Sequence, residues 1–551
     1  MTPDSSRRRD PAAAVAALGA TVLGAGLGEL VAALIAPSAS PFAVIGGAMI
    51  DIAPAWAKDL AISLFGTGDK AALLVGIAIL LLVVAGAAGV LENRRAPWGR
   101  VVLAALGGVG AVVSLTRADT GVLSPVPSLV AGAVAAVVGG LLIDRMRRRA
   151  GESGRDRAMV AASGRERAGA DAPDQEREKV EDPTRDRTVA GRTRPEGLSR
   201  RTVLAYSGVA VLAGALAAAG AVAIGGGARA VSAVRAALRL PTPAKTASVP
   251  AGAELGIEGL TPVVTPSADF YRIDTALVVP QVDPATWTLR VHGLVEQEVV
   301  LRWEDLVALP AQETIATLVC VSNEVGGSLI GTARWLGVPI RDVLARARPT
   351  AEADMVLSRS VDGFTASSPL EALTDERDAL IAIGMNGEPL PLEHGFPARL
   401  VVPGLYGYVS ATKWVSELEV TRFDRAEGYW TPRGWSERGP VKLQSRIDVP
   451  RAGARVEPGP TVIAGVAWHN HVGIAGVEVQ VDDGPWRPAT LAPAISADTW
   501  VQWSIEWEAT SGLHTARCRA ISTDGSTQTS AVAPPAPDGA TGWDEATISV
   551  V

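Results

Sequence analysis

Five long apolar segments before residue 226 restrict the fold of this 551-residue chain more than any other feature. Each has about the length of a helix that crosses ~30 Å of hydrocarbon, although the third is short. Because unpaired backbone groups are costly in lipid, such segments are expected to be membrane helices. The predicted spans are Pro11–Ala36, Ala71–Leu91, Val101–Leu115, Leu123–Ile143 and Val203–Gly225. Residues 1–145 would then form a four-span region and 202–226 a fifth span.

The distribution of positive charge predicts the orientation of these spans. Basic residues occur at Arg7–Arg9, at Asn93–Arg100 and at Arg145–Arg149, whereas loops 37–70 and 116–122 carry few. By the positive-inside rule, the N-terminus and the segment after the fourth span are cytoplasmic. The chain that follows the fifth span is therefore expected outside the membrane.

Residues 146–201 are close to half charged, with both signs mixed and few large apolar side chains. This composition predicts a disordered cytoplasmic linker. The fifth span begins with Leu198-Ser-Arg-Arg-Thr-Val-Leu204, which is typical of a twin-arginine export signal in a bacterial cytoplasmic membrane. An ordinary positively charged flank is the alternative interpretation. Twin-arginine export would carry a domain that folds in the cytoplasm, often around a cofactor.

Glu29 lies inside the first predicted span. An intramembrane carboxylate is a functional-site hypothesis, and Glu29 is the one residue that supports a non-catalytic transport or sensing protein. A hydrogen bond within the helix bundle, or a position near the outer interface, would explain it equally well. The net charge of −7 argues against a basic surface for nucleic acid.

The second half of the chain has a different pattern, with short β-prone runs broken by Pro and Gly. Strands such as Trp287–His292 alternate with short helices such as Trp303–Leu309, which predicts an α+β domain over residues 245–438. In residues 440–551 helical periodicity disappears. Alternating strands there predict a β-sandwich of immunoglobulin-like type.

Cys320 is one of only two cysteines, and Cys518 lies in a different region, so a disulfide framework does not explain it. Cys320 follows a β-prone run and precedes a Gly-rich turn, where a thiolate could bind a soft metal or act as a nucleophile. A small buried apolar residue is the alternative. The chain has no Cys-x-x-Cys-His motif and no cysteine cluster, which excludes covalent c-type haem and an iron–sulfur centre.

Three further segments supply charged and aromatic side chains that could form a site with Cys320. They are Asp269–Asp274, Glu393–Gly404 and Tyr406–Trp414. His394, Arg399 and Lys413 could separately be a structural histidine, a surface arginine and a snorkelling lysine. Together they suggest an anionic, phosphate-bearing cofactor held by basic side chains and backbone amides.

In combination these segments resemble the sulfite-oxidase-like molybdopterin oxidoreductases over roughly residues 250–551. Leu318, Cys320 and Asn323 match a Leu-x-Cys-x-x-Asn pattern. The other matches are Trp335–Pro339, His394–Gly404, and Lys413 with Trp414.

The resemblance implies a molybdenum–molybdopterin cofactor with Cys320 as the thiolate ligand of the metal. His394, Arg399 and Lys413, with the amides around Ala411 and Thr412, would hold the pterin and its phosphate. Tyr271 would pack on the cofactor, and Arg272 would be a catalytic residue that faces the metal. Ser322 and Asn323 would shape the turn behind the thiolate. Asp362 could face the pocket or serve a β-turn.

The resemblance further implies oxygen-atom transfer on a small-molecule S- or N-oxo substrate, in either direction. Two departures make sulfite an unfavourable substrate. Arg272-Ile-Asp274 stands where Arg-Asn-His is usual, and Asn323-Glu-Val325 replaces Asn-Arg-Arg, which places Glu324 where cations are expected. Electrons would pass to a separate partner, cytochrome or quinone-linked. The last domain resembles the family's dimerisation domain, which allows a homodimer.

Overall fold

The computed structural model describes residues 10–36, 39–53, 64, 69–116, 122–168, 200–224 and 226–551. These residues divide into two compact units. One is helical and lies within residues 1–49 and 70–225, and the other includes residues 226–551.

The helical region contains the predicted membrane spans. Its helices are α1 (Asp10–Ile35), α2 (Pro41–Ile52), α3 (Asp69–Arg94), α4 (Trp98–Leu115), α5 (Val126–Ala168) and α6 (Arg200–Ile224). All of these except the short α2 contain a stretch long and apolar enough to cross a membrane, which confirms the five predicted spans by length and composition.

Glycines allow close approach between the helices of this unit. A Cβ on Gly26 of α1 would collide with the backbone of Gly214 on α6. A Cβ on Gly107 of α4 would lie 2.7 Å from the Cα of Gly132 on α5. Small residues at helix contacts are typical of membrane bundles, where van der Waals packing drives association.

Glu29 of α1 is hydrogen bonded rather than isolated. Its carboxylate accepts a hydrogen bond from Ser40 Oγ at 2.9 Å and one from the backbone N of Phe42 at 3.3 Å. Since Phe42 is in the first turn of α2, Glu29 accepts a hydrogen bond from one of the backbone N–H groups that have no partner within that helix. The structure therefore supports the hydrogen-bonding interpretation of Glu29.

Helix α5 extends beyond the predicted fourth span into the segment predicted to be a disordered linker. Its backbone is helical as far as Ala168, and residues 169–199 lie outside the described residues. The prediction of disorder was thus wrong for residues 146–168. Ala, Arg, Glu and Met are strong helix formers, so a segment too polar for a packed core can still continue an existing helix.

The second unit begins with α7 (Gly226–Ala237) and contains an α+β domain with two sheets. The first sheet has the order β2-β1-β10-β5-β6, and the second has the order β3-β4-β7-β8 with β9 beside β7. The strands are β1 (Thr288–Gly293), β2 (Val299–Arg302), β3 (Gln312–Val319), β4 (Ile330–Pro339), β5 (Met355–Ser360), β6 (Thr365–Pro369), β7 (Leu380–Met385), β8 (Glu388–Pro389), β9 (Arg399–Val401) and β10 (Val415–Thr421). Short helices connect them: α8 (Trp303–Val307), α9 (Ile340–Ala347), α10 (Leu370–Thr374) and α11 (Gly407–Ser410).

Burial patterns explain these elements. Helix α9 buries Ile340, Val343, Leu344 and Ala347, the i, i+3, i+4, i+7 spacing that places one apolar face against a core. Strand β7 is buried along its whole length, as expected for an interior strand. The predicted strand near Trp287 and the helix starting at Trp303 are both present.

Residues after 443 form two sheets that share one core. The first sheet has the order β11-β13-β17-β16 and the second β12-β19-β18-β14-β15. The strands are β11 (Gln444–Val449), β12 (Arg455–Val456), β13 (Gly459–Trp468), β14 (Ile474–Val481), β15 (Arg487–Pro488), β16 (Thr490–Leu491), β17 (Val501–Ala509), β18 (Gly512–Ser522) and β19 (Asp544–Val550). Ile463 and Trp503 of one sheet pack in the same cluster as Cys518 and Ile548 of the other. The two-sheet architecture is confirmed, and its immunoglobulin-like class stays a prediction.

Candidate active site

Cys320 is the first residue after strand β3 and opens a tight turn. Its backbone N donates to Leu329 O at 2.9 Å, and the backbone N of Asn323 donates to Cys320 O at 3.0 Å. The Asn323 side chain closes the same loop, because its Oδ1 accepts a hydrogen bond from Leu329 N at 2.7 Å. The turn therefore fixes the backbone of Cys320 without using its thiol.

The β-sandwich supports this turn from outside the α+β domain. Asn470 Nδ2 donates to Thr317 O at 2.7 Å, and Trp500 N donates to Thr317 Oγ1 at 2.9 Å, three residues before Cys320. On the far side of the turn, an Arg446 guanidinium nitrogen donates to Gly327 O at 2.8 Å. The position of Cys320 thus depends on residues more than a hundred positions further along the chain.

A single pocket collects seven of the side chains and turns predicted from the sequence. The pocket is open to solvent, and its empty space, including the part that opens to solvent, is about 1120 Å³. The predicted residues that line it are Tyr271, Cys320, Ser322, Asp362, Arg399, Ala411 and Lys413.

Four other predicted residues do not line this pocket. Asn323 and Thr412 are buried behind it, and Thr412 Oγ1 lies 2.7 Å from Ser358 Oγ. His394 is also buried. Arg272 was predicted to face the metal, but its Nε donates to Asp274 Oδ2 at 3.1 Å. That ion pair holds the guanidinium against a neighbouring carboxylate.

Glu324 was expected to add negative charge next to the thiol, and that expectation was wrong. Its side chain is exposed and does not line the pocket, because the turn directs it to solvent. The carboxylates that do line the pocket are Asp274 and Asp362.

Arg399 is a buried cation that has no carboxylate partner in the described part of the chain. It is 3% exposed, and its guanidinium donates to the backbone oxygens of Leu400, His394 and Ala411 at 3.2–3.4 Å. No carboxylate of the described residues lies within 4.0 Å of it. Burial lowers the pKa of Arg399 to about 10. A buried charge with such weak compensation would be stabilised by an anion in the pocket.

Lys413 and His394 share this environment. Lys413 Nζ donates to Asp274 Oδ2 at 2.9 Å and to Glu393 O at 3.0 Å, and burial lowers its pKa to about 8. Burial, with Arg399 and Lys413 nearby, lowers the pKa of His394 to about 3, so its ring is neutral. His394 Nδ1 is buried and has no hydrogen-bond partner among the residues that the structure describes. An unsatisfied ring nitrogen beside two buried cations fits a bound polar group.

Gly395 explains how these cationic side chains come together. Its φ of 112° lies in the region that favours glycine, and a Cβ there would lie 3.0 Å from Arg399 Cβ and 3.1 Å from Lys413 Cβ. The glycine after His394 is therefore a requirement of the site's packing.

Cys320 lies on the pocket wall together with Lys413. Burial raises the pKa of its thiol, while hydrogen bonds with Ser322 and the charge of Lys413 oppose the rise. A single cysteine on the wall of a pocket that also contains Arg399 and Lys413 fits a soft metal whose other ligands come from an organic cofactor, because metal binding displaces the thiol proton. Arg399, Lys413 and His394 fit an anionic group on that cofactor.

The sequence interpretation missed several pocket residues. Asp274 belonged to the candidate segment Asp269–Asp274 and to a departure from the family pattern, but it was given no role in the site. Aromatic side chains that had no role assigned from the sequence also form the wall: Tyr408, within the candidate segment Tyr406–Trp414, and Phe364, Trp430 and Trp435 outside the candidate segments. The close spacing of Trp430 and Trp435 was a visible signal, but a tryptophan pair has no chemistry of its own that would assign it to a site.

Comparisons with known proteins agree with this geometry. The family "Oxidoreductase molybdopterin binding domain" matches residues 276–430. The "Uncharacterized oxidoreductase YuiH" of Bacillus subtilis (strain 168) is 36% identical over 173 residues, which are 31% of this chain and 84% of that protein. Mitochondrial sulfite oxidase of Mus musculus is 33% identical over 271 residues, covering 41% of this chain.

This chain spans only 49% of the length of the mouse sulfite oxidase. The crystal structure of the sulfane dehydrogenase SoxCD from Paracoccus pantotrophus aligns with 48% of this chain and 75% of that chain, at 25% identity and a TM-score of 0.44. The matched family and the extensive coverage of the Bacillus protein, together with the pocket around Cys320, show that the chain belongs to the sulfite-oxidase-like molybdopterin-dependent oxidoreductases, whose cofactor is molybdenum–molybdopterin.

Proposed function

We propose that this protein is a membrane-anchored oxidoreductase that transfers an oxygen atom to or from a small S- or N-oxo substrate outside the cytoplasmic membrane. One observation carries the proposal: the Cys320 thiol lines the same pocket as the two buried cations Arg399 and Lys413. Such a cofactor needs two contributions from the protein in one cavity: a thiolate for the metal, and an anion cradle, here Arg399 and Lys413, for the phosphate.

The roles of the individual side chains follow from their positions. When bound, the molybdenum cofactor supplies two-electron oxygen-atom transfer. Cys320 would hold the metal, and Ser322, two residues further along the same turn, lines the pocket beside it. Burial raises the pKa of Tyr271 far above its usual range, so its phenol stays protonated and can donate a hydrogen bond into the pocket.

Arg399, Lys413 and His394 would hold the phosphate and pterin, with the backbone around Ala411 and Thr412. Arg399 brings a fixed positive charge, and its planar guanidinium suits phosphate oxygens. His394 is neutral at physiological pH, so Nδ1 can form a hydrogen bond without adding charge. Asn323 would hold the turn in place through its bond to Leu329 N.

Electrons would leave through a separate cytochrome or quinone-linked partner. Support comes from the sequence, which has two cysteines and no Cys-x-x-Cys-His motif for a covalently attached haem. The β-sandwich resembles a dimerisation domain, so a homodimer belongs to the same proposal.

The transport or sensing alternative is less well supported. It depended on Glu29, and the hydrogen bonds from Ser40 and Phe42 account for that carboxylate without a transported ion. In a protein without a cofactor, the buried guanidinium of Arg399, which no carboxylate of the described residues compensates, would be costly.

Metal and pterin analysis of the purified wild-type chain tests the proposal directly. Protein made in a host with an intact cofactor pathway is expected to contain about one molybdenum and one pterin per chain. Preparations lacking molybdenum under those conditions would contradict the assignment. Apoprotein from a host deficient in pterin synthesis provides the matched control.

We further propose that the fifth span acts as a twin-arginine export signal that places residues 226–551 outside a bacterial cytoplasmic membrane. Replacing both Arg200 and Arg201 with Lys keeps the positive charge that the positive-inside rule reads, but removes the arginine side chains. The double variant is expected to lose at least about tenfold of its externally accessible catalytic domain. Protease accessibility in intact spheroplasts measures this, and unchanged exposure would show that the arginines are only a charged flank.

A further inference from the structure

The charge balance of the pocket sets a limit on what it can bind beside the cofactor. Among the described Asp, Glu, Lys and Arg side chains, its lining contains two bases, Arg399 and Lys413, and two acids, Asp274 and Asp362. The site therefore has no excess of positive side chains. If Arg399 and Lys413 hold the cofactor phosphate, the part of the pocket left for substrate is negative.

Asp274 has the largest influence on this balance. Its carboxylate, 6% exposed, pairs with Lys413 at 2.9 Å and with Arg272 at 3.1 Å. Asp274 therefore neutralises Lys413 at the cofactor end of the pocket. It also holds Arg272, the cation that the family resemblance assigns to the substrate. A second anion approaching either cation would have to displace Asp274 or lie close to it, and like charges at short distance repel strongly.

Asp362 adds a second negative charge at the wall. It accepts a hydrogen bond from Phe364 N at 3.3 Å, and no basic side chain of the described residues lies within 4.0 Å of it. Its position lining the pocket, with this Asx-type turn, reconciles the two interpretations made from the sequence: the residue both shapes a turn and faces the cavity.

The remaining wall is aromatic. Trp430 and Trp435 lie edge to face at 6.3 Å between ring centroids, and Tyr408 lies 5.9 Å from Trp435. These rings pack in the same cluster as Val319 and Val321, the residues on either side of Cys320. The surface next to the thiol is therefore suited to an organic group and offers little to a small hydrated oxyanion.

We infer that the substrate is a non-anionic organic S- or N-oxide, or its reduced form, and that Asp274 excludes inorganic oxyanions such as sulfite and sulfate. This inference rests on the proposed function, because it assumes that the cofactor fills the Arg399–Lys413 end of the pocket. It assigns Asp274 as a specificity-determining residue. The aromatic wall would contact the organic part of the substrate.

Equilibrium binding of sulfate to the holoenzyme tests this inference without turnover. Sulfate is an unreactive dianion, and titration calorimetry on preparations with about one molybdenum per chain keeps the cofactor site filled. Wild type is expected to bind sulfate weakly, with a Kd above about 1 mM. Asp274→Asn is expected to tighten binding about ten- to hundredfold, because one negative charge is removed beside two cations.

Three further variants make the result specific. Asp274→Glu keeps the charge and is expected to retain weak binding. Asp448→Asn removes a similarly buried carboxylate that pairs with Arg446 at 2.7 Å outside the pocket, and is expected to leave sulfate binding unchanged. Asp362→Asn is expected to tighten binding, and it decides the question if Asp274→Asn does not retain molybdenum.

Micromolar sulfate binding by wild type would overturn the inference. So would equal sulfate affinity in wild type and in the molybdenum-loaded Asp274→Asn and Asp362→Asn variants. A wild-type preparation without molybdenum is a different result, because it contradicts the proposed function and is detected by metal analysis before any titration.

Discussion

Replacing Cys320 with Ala is expected to reduce turnover by more than about a hundredfold while leaving the fold intact. The backbone of the turn is held by Leu329 and Asn323 and not by the thiol, so loss of the sulfur should cost only about 1 kcal/mol of stability or less. Arg399 and Lys413 remain in place to hold the pterin. We therefore expect measurable pterin in a variant that has lost redox activity with artificial electron donors and acceptors.

Cys518→Ala is the matched control, because it removes the same atom from the other cysteine of the chain. Cys518 is fully buried in β18, within the core of the sandwich. Its replacement is expected to lower the free energy of unfolding by about 1 kcal/mol and to leave turnover near the wild-type value. Redox activity above a tenth of wild type in Cys320→Ala would contradict the assignment of Cys320 as the metal ligand.

Much of this fold was predictable because its patterns are local. The five apolar runs are longer than a small soluble core requires, and the structure has a helix at each of them. In the sandwich, the alternation of Ala516, Cys518 and Ala520 into the core is readable from sequence alone. Cys320, Arg399 and Lys413 could also be assigned to one site, since their motifs are specific in order and spacing.

The parts that could not be predicted depend on contacts between distant residues. Lys413 and Asp274 are 139 positions apart, and nothing in either segment indicates that the second neutralises the first. Thr317 receives its support from Asn470 and Trp500, more than 150 positions away. Glu324 shows the opposite case, since it is close to Cys320 in sequence but directed to solvent by the turn.

Helix α5 illustrates a third limit on sequence interpretation. A segment with too few apolar residues for a core was predicted to be disordered, but its backbone is helical as far as Ala168. Composition decides whether a segment can pack against others, and not whether it can extend a helix that a membrane span has already nucleated.

Arg399→Met is expected to separate cofactor retention from the stability of the apoprotein. In the absence of an anion, Arg399 is a buried guanidinium held by three carbonyl oxygens at 3.2–3.4 Å, which compensates its desolvation poorly. A methionine of similar length adds apolar contacts with no charge to bury. Cofactor-free Arg399→Met should therefore be as stable as cofactor-free wild type, or more stable by about 1–3 kcal/mol.

The same substitution is expected to lower the pterin and molybdenum content about ten- to hundredfold, because a fixed charge for the phosphate is lost. Arg446→Met is the matched control. Arg446 is similarly buried but pairs with Asp448 at 2.7 Å, so its loss should destabilise apoprotein and holoprotein alike by about 3–5 kcal/mol. Thermal unfolding of both variants, with and without cofactor, measures these differences. If Arg399→Met destabilises the apoprotein as much as Arg446→Met does, Arg399 is an ordinary structural arginine and the anion cradle is wrong.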